Sequence, residues 1–402
     1  MTVLSLAPRH DHHNHVSLYA SLASAPDISA LEPRSALALL ASLPEDRLSL
    51  VRGWRSDRLL LDQASLARLP PVLVINFSLH GFALSPSAEP FVEALWPEFA
   101  EGHTDSRWVE GHVPELFAFY GSLAGLTEAS LDAFMVDLAA RGIGSAEDLS
   151  LTGPEALRVI EASRWRDSIP CWASPGIFAR LDEAEKSLIS GLKLFLDGSL
   201  GARSAAIACP YLGGEEGLLL YELDPLRDFL ASLHPTGKAL AIHAIGGLAI
   251  EEALITLEDL HRQGLDFPLV RLEHVQFISQ SQARRARDLD LVLSMQANFS
   301  SDSVDYLDRL PRGFPEINNP FRMLIDTLGF IPGKDLLLGS DGMPQGIAYP
   351  LQWSLFPAHP GQALEWEEFI AGYGSSRGGA GLGAKDLVFE IDEIGRRAIQ
   401  KA

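Results

Sequence analysis

GLKLFLDGSLGARSAA, residues 191–206, is the stretch whose reading decides the fold. Its first half alternates as an extended chain does, with Leu192, Leu194 and Leu196 on one face and Lys193, Phe195 and Asp197 on the other. The pattern breaks at Gly198. Such a strand carries two ionisable groups to its C-terminal end, which in a parallel barrel is the end where chemistry is done. Buried lysines are rarely left unpaired, so a Lys193–Asp197 ion pair that only stabilises accounts for this stretch taken alone. Its neighbours shift the balance.

Outward from this strand, apolar runs alternate with amphipathic segments. Helical patterns over 127–141, 153–164, 182–190, 224–233, 248–263, 279–287 and 319–328 separate GIGSAEDLSL, IPCWASPG, the lysine strand, KALAIHAIGG, LVRLEHVQF, DLVLSMQANF and DLLLGSDGMP. This is the rhythm of parallel βαβ units. Seven such strands follow Gly142, and an N-terminal strand over Thr2–Leu6 makes eight, the number that closes a (β/α)8 TIM barrel. The expected organisation is therefore a first barrel strand with a His-x-His pair at 1–15 and an insertion or subdomain over the mouth at 16–126. The remainder of the barrel takes up 127–371, and a Gly-rich segment and tail 372–402. Within the insertion, strands are expected near Leu48–Val51 and Val72–Phe77 and helices near Ser35–Ala41 and Ala88–Phe99. Its aromatics Trp54, Phe77, Phe82, Trp96 and Trp108 either line the pocket or form that region's own core.

Composition narrows the function. A net charge of −21 disfavours nucleic acid and anionic membrane surfaces as partners. Two cysteines, Cys171 and Cys209, give no disulfide framework, and neither a signal-like leader nor an apolar run of about twenty residues is found. A cytoplasmic protein acting on a small molecule, with homo-oligomerisation open, is the expectation.

The polar residues fall at matching places. His13 and His15 follow the first strand, Lys193 sits on the fourth, and His243, His274 and Asp341 end later runs. One strand-end histidine is ordinary, but six such groups at one end of a barrel would be costly to bury unpaired. Imidazoles with a carboxylate suit zinc or a similar divalent ion. A lysine kept neutral beside such an ion can take up carbon dioxide as a carbamate. A bridging carbamate would give two ions, and a plain lysine one. His10/His12 is an alternative histidine pair, and Asp11 is placed to orient a ligand.

These segments together resemble the amidohydrolase superfamily, in its YtcJ-like, amidohydrolase-3 branch. The likeness is carried by Asp-x-His-x-His at 11–15, DGSLGARSAA after the lysine strand, HAIGGLAIEEAL at 243–254, RLEHVQ at 271–276, LSMQ at 293–296 and GSDGMP at 339–344. The resemblance implies the same barrel, with His13, His15, His243, His274 and Asp341 as metal ligands and Lys193 as a carboxylated bridge. Asp197, His80 and Arg203 would lie near the substrate. Two departures stand out: the family's flanking β-sandwich is expected to be absent or vestigial, and Phe299 stands where a further histidine is common.

The activity implied is hydrolysis of a non-peptide carbon–nitrogen bond in an amide, N-acyl or cyclic amide compound by metal-activated water. Asp341 would move the proton, while His80 and Arg203 stabilise developing charge. Rival readings are a mononuclear deaminase, a lactone or ester hydrolase, or an inactive barrel kept for binding.

Overall fold

The computed structural model describes residues 2–55, 58–76, 79, 81–377 and 385–401. Eight parallel strands form one sheet: β1 (Arg9–Asn14), β2 (Ile143–Asp148), β3 (Cys171–Ala173), β4 (Ile189–Phe195), β5 (Ala239–Ala244), β6 (Val270–His274), β7 (Val292–Met295) and β8 (Leu336–Leu338). Each pairs with its neighbours in chain order. The two edges meet beyond β8, where the Asp341 N–H donates to the His13 carbonyl at 2.7 Å and the Ser340 N–H to Asp11 Oδ1 at 2.9 Å. The architecture is a nearly closed (β/α)8 barrel, as the sequence rhythm predicts.

On β4, Leu192, Leu194 and Leu196 pack into the core between sheet and helices. Lys193 and Phe195 take the opposite face, and Phe195 reaches the mouth. Helices such as Glu128–Ala140, Leu223–Leu233, Gly247–Arg262 and Gln280–Asp288 cover the sheet outside. The segment expected as a helix over 319–328 is helical from Phe321 and widens into a π turn over Met323–Thr327. Pro320 stands just before the first helical residue, where a helix start tolerates it.

The first strand needs correcting. Thr2–Leu6 is not in the barrel; it pairs antiparallel with Leu387–Asp392, which pairs with Arg397–Gln400, in a separate three-stranded sheet. The barrel strand is the histidine run itself. The two chain ends thus build a small flanking sheet, a vestige of the sandwich.

Between β1 and β2 lie the helix Val16–Leu22, several further helices and a second three-stranded sheet (Ser49–Trp54, Val72–Asn76, Phe82–Leu84). Trp96 stacks on Phe99 and contacts Trp108, while Phe82 contacts Phe99, so these rings fill that region's own core. Trp54 packs in a second small core beside them. Phe77 lies outside the described residues. Among the described residues, this region sends Tyr19, Leu79 and Phe117 to the barrel mouth. Of the Gly-rich stretch, residues 378–384 lie outside the described residues, and Ser375 bridges Arg9.

Candidate metal centre

Strand ends gather five of the predicted groups, and β4 adds the sixth from within. His15 Nε2 lies 3.0 Å from Asp341 Oδ1, and His13 Nε2 lies 3.5 Å from the same oxygen. These three side chains offer ligand atoms within 4.8 Å of one another. The His13 ring centroid is 4.7 Å from that of His274, which is 4.4 Å from that of His243. Lys193, only 1% exposed, lies close enough to feel the charges of Glu273 and Asp341. Two of these residues hold left-handed backbone, His274 with φ 71° and Asp341 with φ 57°. Such conformations are costly for non-glycine residues and concentrate at functional sites.

Most of the imidazoles are fixed from behind. His13 Nδ1 is 2.7 Å from Glu273 Oε2, His274 Nδ1 is 2.7 Å from Gln296 Oε1, and His243 Nε2 is 3.0 Å from the Gly198 carbonyl. A buried partner that sets the tautomer and ring orientation is what a ligating histidine requires. Burial pushes His13 down to about 4, with Lys193 adding to it and Asp341 and Glu273 opposing it. His274 is driven well below the usual imidazole range by burial, then by His243 and His13. Neutral imidazoles are the form that binds metal. Burial alone would raise Asp341, but His13, His15 and Lys193 hold it well below the carboxylate range.

The residues fit a divalent cation. Among the described residues, Lys193 Nζ and His15 Nδ1 are buried without a hydrogen-bond partner. The donor set of four imidazoles, a carboxylate and a buried amine is one that N/O-binding ions such as zinc accept. Burial lowers the Lys193 amine to about 8, against the pull of Glu273 and Asp341.

Other expected residues sit elsewhere. Asp197 makes no ion pair with Lys193; its carboxylate accepts the backbone N–H groups of Ala206, Ile245 and Gly246 at 2.8–3.0 Å, which ties the loop after β4 to the loop after β5. Its Oδ1 is 3.4 Å from His243 Nε2, so it touches the site through a ligand candidate and does not line the pocket. Arg203 is turned away, paired with Glu215 at 2.6 Å and half-exposed on another face, because the DGSLGA loop doubles back at its left-handed Arg203. His80 lies outside the described residues.

His10 and His12 are the pair that does not reach the mouth. They face Glu147 at 3.3 and 3.1 Å. Glu147 also accepts from Trp172 Nε1 at 2.7 Å and from Arg271 at 2.6 Å. With a guanidinium already on that carboxylate, the cluster is a self-satisfied ionic layer of the barrel interior. Arg271 extends it to Glu273, at 2.8 Å, and so to His13. Asp11 closes the seam, accepting from Ser340 and Asn14. Glu273, Gln296, Gln276 and Asp302 escaped the sequence reading. The first three stand inside quoted motifs, RLEHVQ and LSMQ, beside the residues that were noticed.

The candidate ligands face a pocket that opens at the barrel mouth. Apolar and aromatic side chains, among them Phe117, Phe195, Ile245, Phe299 and Met343, make up most of its wall. Phe299 stacks on His274, with centroids 6.0 Å apart and planes 10° from parallel. No lysine or arginine is among the described lining residues.

With barrel, ligand-type side chains and pocket in place, the chain is that of an amidohydrolase-type barrel. A model of the amidohydrolase family matches residues 126–346, and the chain belongs to that family, in its amidohydrolase-3 branch. It is 32% identical over 120 residues to the Arabidopsis thaliana protein LONG AFTER FAR-RED 3, covering 29% of this chain and 21% of that one. It is 30% identical over 122 residues to YtcJ of Bacillus subtilis (strain 168), named as an amidohydrolase, covering 30% and 23%. The matched segment thus spans less than a quarter of either relative. Two structures titled as uncharacterized metal-dependent hydrolases share the fold at 20% identity. The one from Pyrococcus furiosus has a TM-score of 0.66, covering 92% of this chain and 81% of that one. The one from Pyrococcus horikoshii OT3 has a TM-score of 0.65, covering 92% and 80%.

Proposed function

We propose that the chain is a metal-dependent hydrolase that cleaves a carbon–nitrogen bond, other than a peptide bond, in a small molecule. The observation that carries this reading is the convergence of His13, His15, Lys193, His243, His274 and Asp341 at one mouth, with His13 and His274 held neutral and oriented. These six side chains would hold the ion or ions, with zinc the best match to the donors. A divalent ion bound there would supply Lewis-acid polarisation of a carbonyl and a water acidified to near neutral pH.

The chain's own residues supply the rest. Asp341, kept ionised by its histidine neighbours, is the carboxylate that takes up a proton and hands it to the departing nitrogen. Glu273 and Gln296 fix His13 and His274, so the site is organised before substrate arrives. The apolar wall excludes water and seats the body of the substrate. Lys193, with its amine lowered to about 8 and without a hydrogen-bond partner, is placed to add carbon dioxide through its neutral nitrogen. The carbamate so formed, its proton released to solvent, would offer two oxygens to the ions. A carbamate predicts two ions per chain and an unmodified lysine one.

The test is a panel of N-acyl, N-formyl and cyclic amides with lactones, assayed with added zinc. Amine release from an amide, abolished in Asp341→Asn while most metal stays bound, is the expected result. Turnover of Asp341→Asn at the unmutated rate, or cleavage of lactones alone, would reject the reading.

A further inference from the structure

Beyond the metal-binding set, the pocket wall carries one more carboxylate. Asp302 opens the short helix Asp302–Asp305 just past Phe299 and lines the same cavity. Its Oδ2 accepts from Gln276 Nε2 at 2.9 Å. Gln276 is buried and also donates to Asn318 Oδ1 at 3.0 Å, and Asn318 is itself anchored to the Phe299 carbonyl and Ser303. The carboxylate is thus locked from behind by neutral amides. Among the described residues no cation pairs with it: the nearby Arg309 is taken by Asp308 at 3.0 Å and by the Gly201 carbonyl at 2.8 Å. Asp305, on the same helix, carries the same sign. Burial, helped by Asp305, pushes the Asp302 carboxyl up to about 7.

A half-buried carboxylate without a counter-ion carries a desolvation cost that an arriving cation would relieve. Among the described lining residues there is no lysine or arginine, so a substrate carboxylate would find no partner among them, whereas a cation would find Asp302 beside the ring of Phe299; the Tyr306 ring is already taken by the Arg309 guanidinium, 4.4 Å from its centroid. The chain's net charge of −21 likewise favours approach of a cation.

We infer that Asp302 selects substrates that carry a protonated amine on an apolar body, with the amine seated against Asp302 while the scissile group lies at the histidines. This rests on reading the mouth pocket as the substrate site, but its test needs no turnover. The zinc-loaded full chain is titrated calorimetrically with 4-phenylbutylamine and with its neutral isostere 4-phenylbutanol, as the unmutated protein and as Asp302→Asn and Asp305→Asn. The unmutated protein and Asp305→Asn should prefer the amine by about tenfold or more, and Asp302→Asn should lose that preference while keeping its affinity for the alcohol. The unmutated chain alone decides the matter should Asp302→Asn misfold: no preference for the amine, or no binding of it at millimolar concentration, overturns the inference. A preference that survives Asp302→Asn, as it would if the amine merely ligated zinc, overturns it too. A chain that cleaves nothing in the hydrolase panel yet shows this switch would lose the proposed reaction and keep the inference.

Discussion

Glu273 is buried and belongs to two networks at once, touching His13 at 2.7 Å and Arg271 at 2.8 Å. Burial would raise its carboxyl, but Arg271, then His13 and Lys193, hold it at about 2. It is therefore an anion at every working pH and fixes His13 with Nδ1 turned inward and Nε2 toward Asp341. Glu273→Gln should weaken divalent-metal affinity by about 10- to 100-fold, measured by competition with a chelator, while the far-ultraviolet dichroism stays native. An unchanged affinity would mean His13 needs no such support. Asp302 behaves oppositely with pH. Its folded-state carboxyl stands near 7 against an ordinary 3.8, so its contribution to stability is complete below about pH 4 and is lost as pH rises through about 7. Asp302→Asn removes that loss. Chemical denaturation should show the variant gaining on the unmutated protein between pH 5 and pH 8, and a difference that does not move with pH would contradict the raised carboxyl of this group.

At the scale of elements, the seam between β8 and β1 positions two of the six groups. Gly339 lies against His13 so closely that a Cβ would sit 2.4 Å from the His13 nitrogen. Gly339→Ala should cost about 1–3 kcal/mol, by denaturant titration, and lower metal affinity with it. Gly361, around which the structure leaves open space, is the control, and Gly361→Ala should stay within about 0.5 kcal/mol. A Gly339→Ala protein as stable as Gly361→Ala would show that the seam has slack. The seam also explains what the sequence could and could not reveal. β4 to β7 were legible because strands covered on both sides need apolar runs, and the chemistry stands at the ends of those runs. β1 was not, because Arg9–Asn14 has no apolar residue at all. His10 and His12 are satisfied by Glu147, and Asp11 by Ser340, partners 135 to 329 residues away. Thr2–Leu6 drew attention as an apolar run, yet its pairing partner is the distant Leu387–Asp392. Glu273 and Gln296 were in view, but their bonds to His13 and His274 exist only once the barrel closes. Asp302 lies in a loop with no periodicity to mark it.

Across the whole molecule, the terminal sheet belongs to the barrel's core and does not stand apart from it. Leu6, Phe389 and Ile391 are buried in the same apolar cluster as Leu192, Leu336 and Phe369. Phe389→Ala should therefore cost about 3–5 kcal/mol and lower the thermal midpoint of the whole chain in a single transition. A separate early transition would show that the sheet melts alone. Among the described residues no helix is long and apolar enough to cross a membrane. The seam that closes this molecule, from Asp11 at one edge to Asp341 at the other, also positions part of the site.

The most direct test is the metal content of the purified chain, determined by elemental analysis beside His13→Ala and His274→Ala. Roughly one to two equivalents of a divalent ion per chain, falling in both variants while the fold is kept, is the result expected of these six side chains. A folded chain that binds no divalent ion when zinc is supplied, or one that keeps its full complement without His13 and His274, would contradict it.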